Sequence, residues 1–441
     1  MDHHADRRMD QNNYTPLHLA ALHGLTSAVE QLLTSGASIE AMDKDGNTPL
    51  HLAVWKGHTD VVELLLDSGA SIDPVDQSRN TLLHLAAWNG HSNMIELLLK
   101  NGSCCHIFNR RGNSPLHIAA SKGHTSVVEI LLEKGALLYG MGEGENTPLH
   151  FAARNGYTGT VKLLLEKGAQ IHAINKKRNS PLHLASWNGR TDVVELLLEK
   201  GSLIHSTNKH HYTPLHLAAS NGRIDVVELL LSKGAQIDAR NAHNNTPLHL
   251  ASLDGHAHVV ELLLGKGASI EDIGLGGSTP LHLAATGGRT HIVELLLRKG
   301  ALIVAADKVY NTPLHLASLH GHPHVVELLL EKGASIEATD IDGQTPLHIA
   351  AWRGNHHMME LLLKKCASTE ALSNHGNSPL HVAVSRNIRY SRHIVELLLM
   401  KGASINALNN NNHTPLQVAA RNAHPDILQL LTSHAVHENS A

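Results

Sequence analysis

Apolar and polar positions follow one scheme that renews itself every 33 residues from Thr15 to Ser378. In the unit that begins at Thr48, a capping hydroxyl and Pro49 open a short run with apolar positions Leu50, Leu52 and Ala53, and Gly57 closes it. This predicts a helix whose first position holds the residue without an N–H, where none is needed. Its last turn ends on the residue that adopts a left-handed conformation most cheaply. Thr59 and Asp60 suit the positive end of a second helix with the apolar face Val61, Val62, Leu64, Leu65 and Leu66, which Gly69 stops. From Ala70 to Asn80 the chain is a mostly polar extension reaching the next threonine. Helices this short do not persist alone, so each pair must bury its face against neighbouring pairs. The pattern predicts a stack of small helical units, with function on the surface where the repeat is broken.

Each unit is announced by Thr-Pro-Leu-His, starting at Thr15, Thr48, Thr147, Thr213, Thr246, Thr279, Thr312 and Thr345. Serine opens it at Ser114, Ser180 and Ser378, and Leu82 replaces proline after Thr81. A last copy runs from Thr414 to Gln417, 36 residues after Ser378. The period and the phrase together resemble the ankyrin repeat. Thirteen units occupy residues 10–433, leaving tails 1–9 and 434–441, with three extra residues within 386–393 of repeat twelve. The resemblance implies an all-helical (α) repeat class: a solenoid of stacked helix–turn–helix units with β-hairpin fingers, which recognises proteins along a concave side. Cys366 replaces the closing glycine of repeat eleven, and repeat thirteen lacks both the histidine and that glycine, as a more polar end cap would.

Apolar residues make up 42% of the chain but aromatics only 3%, so the core must be leucine, valine and alanine. A net charge of −4 over 441 residues argues against generic nucleic-acid or membrane binding. Cys104 and Cys105 are adjacent, while Cys366 lies eight repeats away. That separation is on the order of 80 Å at ~10 Å per helix layer, far beyond disulfide reach. Reduced thiols, an N-terminus without an apolar stretch and no run of transmembrane length lead to the expectation of a cytoplasmic or nuclear chain that does not insert into membranes.

The 38 histidines raise the question of metals or catalysis. Twelve are phrase histidines, from His18 to His381, and one residue type at one phase twelve times over points to a structural hydrogen bond that stiffens each finger. His58, His91, His124, His256 and His322 follow the inter-helix glycine and read the same way. A further column, His258, His291, His324, His357 and His393, occupies the phase of Asp60. The sequence leaves three readings of it open: a neutral column copied by duplication, a metal held between neighbouring rings, or a pH sensor, in which the positive helix end and a like neighbour one repeat away would make acid loosen repeats eight to twelve first. No metal-ligand spacing, phosphate loop or nucleophile–base set stands out, since the glycine-rich stretches 140–144 and 274–277 fall in fingers. The expectation is therefore no catalytic residue, no metal, no cofactor and no small-molecule substrate.

The partner-binding candidates are the positions where the repeat varies. Trp55, Trp88, Trp187 and Trp352 share the seventh position after the cap, where six of the other repeats carry Arg154, Arg421, serine or threonine. A core site does not accept tryptophan, serine and arginine alike, so the position is exposed, and exposed tryptophans are favoured contact residues. The resemblance implies that this phase lies on the concave face. The next phase is polar and variable, with Lys56, Lys122, Asn188 and Arg353. Finger tips of repeats six and seven add Lys176, Lys177 and Arg178, then Lys209, His210 and His211, with Arg240 beyond. Basic fingers beside Trp187, Asn188 and Arg154 suit an acidic protein segment with an apolar anchor. Two rivals are a substrate receptor of a ubiquitin ligase, for which the tails are short, and nucleic-acid binding through the basic fingers, which salt dependence would reveal.

Overall fold

The cap predicted from Thr-Pro-Leu-His forms with an added feature, because the histidine completes it. In helix Pro49–Lys56 the Thr48 side chain serves the histidine's backbone, while the His51 ring returns to the Thr48 backbone. The Thr48 N–H donates to His51 Nδ1 at 3.0 Å. This is a capping box with imidazole in place of the usual carboxylate or amide. Gly57 closes the helix at φ 79°, and the chain turns directly into helix Thr59–Asp67. That second helix buries Val61, Val62 and Leu65, and the first buries Leu50, Leu52, Ala53 and Val54.

A computed structural model describes residues 12–385, 391–422 and 425–438. Twenty-six α-helices appear among them, in pairs of this kind. The N-terminal tail 1–9 lies outside the described residues, as do 439–441 of the C-terminal tail and 386–390 of the repeat-twelve insertion. The chain falls into two compact units: Met1–Pro214 with Ser232–Ala235, and Leu215–Leu231 with Gln236–Ala441. In the first unit, each first helix from Pro16–Leu22 to Pro181–Trp187 packs on the first helix of the next repeat. The second unit repeats this from Pro247–Asp254 to Pro415–Arg421.

The fingers are narrower than the β-hairpins the resemblance implies. Among the described residues the one β-pairing is an isolated antiparallel bridge, Val75–Thr81. Most fingers are instead turns organised by an aspartate or asparagine. Asp43 Oδ1 accepts from the N–H groups of Asp45 and Asn47, both at 2.8 Å, and the Asp43 N–H donates to the Asn47 carbonyl at 2.9 Å. A short polar side chain thus does locally what a partner strand would do. Where glycine replaces it, at Gly142, the preceding repeat lends Asn113 Oδ1 to the Glu143 N–H at 2.9 Å. A Cβ on Gly142 would collide with that oxygen. Single backbone bonds join neighbouring fingers, such as Gln77 N–H to Asp45 C=O at 3.1 Å and Arg110 N–H to Ser78 C=O at 2.9 Å.

Cys366 keeps the left-handed conformation of the glycines it replaces, with φ 68° against 95° at Gly69. Space is open around the equivalent glycines, so the cost is one of backbone conformation alone. Cys366→Gly is expected to stabilise the repeat by about 1 kcal/mol, slowing amide exchange in helix His356–Lys364 roughly fivefold. Unchanged or faster exchange there would show that the cysteine is accommodated without strain.

Candidate partner-binding groove

The seventh-position column stands where a neighbouring repeat pins its backbone. The Trp55 carbonyl accepts from His91 Nε2 at 3.3 Å, and the Trp88 carbonyl from His124 Nε2 at 3.0 Å. Asn155 Nδ2 donates to the Ser121 carbonyl at 2.8 Å, and Arg190 Nε to the Arg154 carbonyl at 3.2 Å. Carbonyls left over at the end of each first helix are thereby satisfied from the next repeat. The side chains project outward. Trp55, Trp88, Trp187 and Trp352 are 37%, 44%, 45% and 39% exposed, as the interchange with serine and arginine required.

In the first unit this column forms the floor of a groove of about 950 Å³, walled by the fingers. Trp55, Trp88, Phe151 and Tyr14 supply aromatic surface. Lys56, Arg110, Arg111, Lys122 and Arg154 supply five cations against two carboxylates, Asp76 and Glu143. Those carboxylates have local partners. Asp76 is held in its own turn by Asn80 N and Nδ2, both at 2.8 Å, and Glu143 lies 4.0 Å from Arg111. Lys122 Nζ sits 3.5 Å from the centre of the Trp88 ring, a cation–π contact that places charge beside the apolar surface.

Of the residues singled out in the sequence, the groove gathers Trp55, Lys56, Trp88, Lys122 and Arg154. Lys176, Lys177 and Arg178 are exposed on one finger of the same unit, and Lys209, His210 and His211 on the next, with the Lys209 N–H bonded to the Lys177 carbonyl at 3.0 Å. Arg178 and His211 hold φ 57° and 59°, the turn position that Gly46 and Gly112 take elsewhere. Asn188 caps its own helix, donating to the Leu184 carbonyl at 2.8 Å. Arg240 belongs to the second unit and is spent on structure. It pairs with Asp272 at 2.7 Å and donates to the Ile273 carbonyl at 2.9 Å. Also in the second unit, the Arg353 guanidinium lies 5.0 Å from the Trp352 ring. Arg110 and Arg111 were missed in the sequence, although the test that marked Lys176–Arg178, consecutive cations at a finger tip, selects them too.

The phrase histidines are buried and bonded at both ends. With Nδ1 accepting from the cap N–H, the proton sits on Nε2, which donates to a carbonyl of the following finger. Examples are His84 to Asn113 at 2.8 Å, His150 to Asn179 at 3.0 Å and His348 to Asn377 at 2.9 Å. Eleven of the twelve make this bond. The His51 ring meets the Pro74 backbone instead, and its Nε2 lacks the well-formed bond that the others make. Burial drives the pKa of His51, His117, His150, His183 and His216 down to about 4. At His282, His315 and His348 burial also lowers it, opposed by finger hydrogen bonds and by Asp307 or Asp340. The column His258, His291, His324, His357 and His393 does lie in the first turns of second helices, but on the exposed side. Among the described residues no group of three or more His, Cys, Asp or Glu is placed to hold a metal ion, and no helix is long and apolar enough to cross a membrane.

The expected site of acid sensitivity therefore changes, because burial falls on the phrase histidines. A lowered folded pKa means the unfolded chain binds more protons. Stability is full above the unfolded value of ~6.5 and is lost as pH falls from there toward about 4. At pH 5 each such histidine costs about 2 kcal/mol. Four of the five values at about 4 belong to the first unit, at His51, His117, His150 and His183. On going from pH 7 to 5, hydrogen exchange corrected for intrinsic rate should quicken more in helices Pro115–Lys122 and Pro148–Asn155 than in Pro280–Thr286 and Pro313–His320. Equal acceleration, or a larger one in the second pair, would contradict this.

Comparison with known families agrees with the architecture. A family model of ankyrin repeats in three copies matches residues 1–76, 70–140, 136–208, 200–273, 270–340 and 336–409, and one of ankyrin repeats in many copies matches 393–432. No curated protein matches the chain. Ankyrin repeats are generally protein–protein interaction modules and typically non-catalytic. Tandem helix pairs, histidine-completed caps, turn-like fingers and matches along almost the whole length lead to one conclusion: the chain belongs to the ankyrin repeat family, a helical solenoid.

Proposed function

We propose that this protein is a non-catalytic scaffold whose first unit binds an acidic protein segment, with apolar side chains seated at Trp55 and Trp88. One observation carries the reading: a groove of about 950 Å³ that combines exposed tryptophans with five cations against two locally engaged carboxylates. Exposed tryptophan on a pinned backbone provides large contact area at little entropic cost. The surrounding cations favour encounter with acidic chains and disfavour basic ones. The non-catalytic reading is supported by the phrase histidines, which are taken up by caps and finger carbonyls. Exposed Lys176, Lys177, Arg178 and Lys209 extend the basic character along the same unit, away from the groove lining. They are also what a nucleic-acid reading would rest on. A binding constant that falls steeply with salt for single-stranded nucleic acid, and not for peptide, would favour that rival over the scaffold.

Synthetic acidic peptides bearing apolar residues, titrated into the intact protein and followed by tryptophan fluorescence, test the reading. Trp88→Ala is expected to weaken binding by about thirtyfold, as a hot spot of ~2 kcal/mol would, while stability changes by less than about 0.5 kcal/mol. Arg110→Glu with Arg111→Glu should mainly slow association. Basic peptides that bind as well as acidic ones, or a Trp88→Ala protein that binds undiminished, would contradict the proposal.

A further inference from the structure

The groove has a repeat of its own, and a ligand must match it. Across the five repeats lining it, the seventh-position column reads Leu22, Trp55, Trp88, Ser121, Arg154. The first helices carrying these residues pack directly on one another in sequence. Packed helices lie ~8–10 Å apart, so this column presents three apolar stations, then a small and a cationic one, at steps of ~9 Å, and the two tryptophans are the aromatic pair among them. A β-strand returns a side chain to the same face every two residues, or ~6.6 Å, and falls out of step within one repeat. A polyproline II segment has three residues per turn and rises ~3.1 Å per residue. Its like-facing side chains therefore recur at ~9.3 Å, in step with the column.

The chemistry of the walls agrees with that conformation. Polyproline II makes no internal hydrogen bonds, so its carbonyls remain free to accept from the Lys56, Arg110, Arg111 and Lys122 side chains. In an α-helix the same carbonyls are already used. Aromatic surfaces set side by side are what extended proline-containing segments dock on, since little ordering entropy is lost. Lys122, 3.5 Å from the Trp88 ring, puts a cation next to the second tryptophan and favours an acidic residue flanking the anchor.

Taking the groove as a peptide site, we propose that it reads an acidic segment in the polyproline II conformation. Two apolar residues three positions apart sit on Trp55 and Trp88, and a carboxylate six positions beyond the nearer one meets Arg154. The test uses peptides of one composition, in both chain directions, with two prolines separated by two, three, four or seven positions in an otherwise acidic chain. A further pair carries glutamate or glutamine at the sixth position beyond. Affinity for the intact protein is measured by calorimetry, with thermal melts to confirm that each variant is folded.

The three-position peptide should bind at least about tenfold tighter than the two- and four-position peptides, and Trp55→Ala should abolish that preference. The glutamate-to-glutamine change should weaken binding several-fold in the parent protein and have no effect in Arg154→Gln. Equal affinity at every spacing would overturn the register while leaving the groove as an acidic-peptide site. Tightest binding at seven positions would mean a helical ligand and would overturn the conformation. If none of the peptides binds, both this inference and the reading beneath it fall.

Discussion

Each finger's carbonyls need donors that the finger cannot supply, and the phrase histidine of the preceding repeat supplies one. Fingers without strand partners expose a row of backbone oxygens, and buried oxygens left unpaired are costly. The histidine satisfies two needs with one ring. Nδ1 takes the N–H at the helix cap, and Nε2–H reaches the next finger, as in His117 to Gly140 at 2.9 Å and His282 to Asn311 at 3.0 Å. Helix start and neighbouring finger are fixed by a single rigid group, so a finger's position is set by the repeat before it. Gln417 shows what half of this does. It accepts from the Thr414 N–H at 2.9 Å, so an amide oxygen completes this cap where the ring nitrogen does so elsewhere.

The same ring links architecture to chemistry. It works only when neutral, because protonation puts a hydrogen where Nδ1 must accept. Burial enforces neutrality, which is why the depressed pKa values gather at these positions. A second set of stitches runs in the opposite direction, from the residue after the inter-helix turn back to the preceding first helix. His58 reaches the Leu22 carbonyl at 3.1 Å and Arg289 the Leu253 carbonyl at 2.9 Å. Histidine and arginine are interchangeable there because one N–H suffices. These back-stitches hold the carbonyls of Trp55, Trp88 and Arg154, so the tryptophan column stands on backbone anchored from the next repeat. A binding face with little left to order loses less entropy on binding.

The helices, caps and exposed tryptophan column were legible because each depends on residues a few positions apart. The Thr–Pro start, the glycine stop and the serine–arginine–tryptophan interchange are local facts. The groove's charge was harder to read, since Arg110, Arg111, Lys122 and Arg154 come together only when fingers of one repeat stand over helices of another. The Arg240–Asp272 pair was equally hidden, since its two members lie one repeat apart. Which histidines are buried was hidden for a related reason, because burial depends on which face a neighbouring repeat covers. His51 was not foreseeable either. Its following finger carries Pro74 and the bridge Val75–Thr81, with Leu82 where other repeats have proline, and at the groove its Nε2 lacks the well-formed bond that the others make.

Ring nitrogen spectroscopy by heteronuclear NMR on the uniformly labelled protein tests the central claim most directly, since it reads the proton's position. At neutral pH the eleven bonded phrase histidines should be neutral with the proton on Nε2. Those Nε2–H protons should be protected from exchange, and the His51 Nε2–H should be the least protected of the set. On acidification the rings of His117, His150 and His183 should stay neutral well below ~6.5 for as long as the protein is folded. Protons on Nδ1, or rings that titrate near ~6.5 in the folded protein, would mean that the histidines do not tie cap to finger.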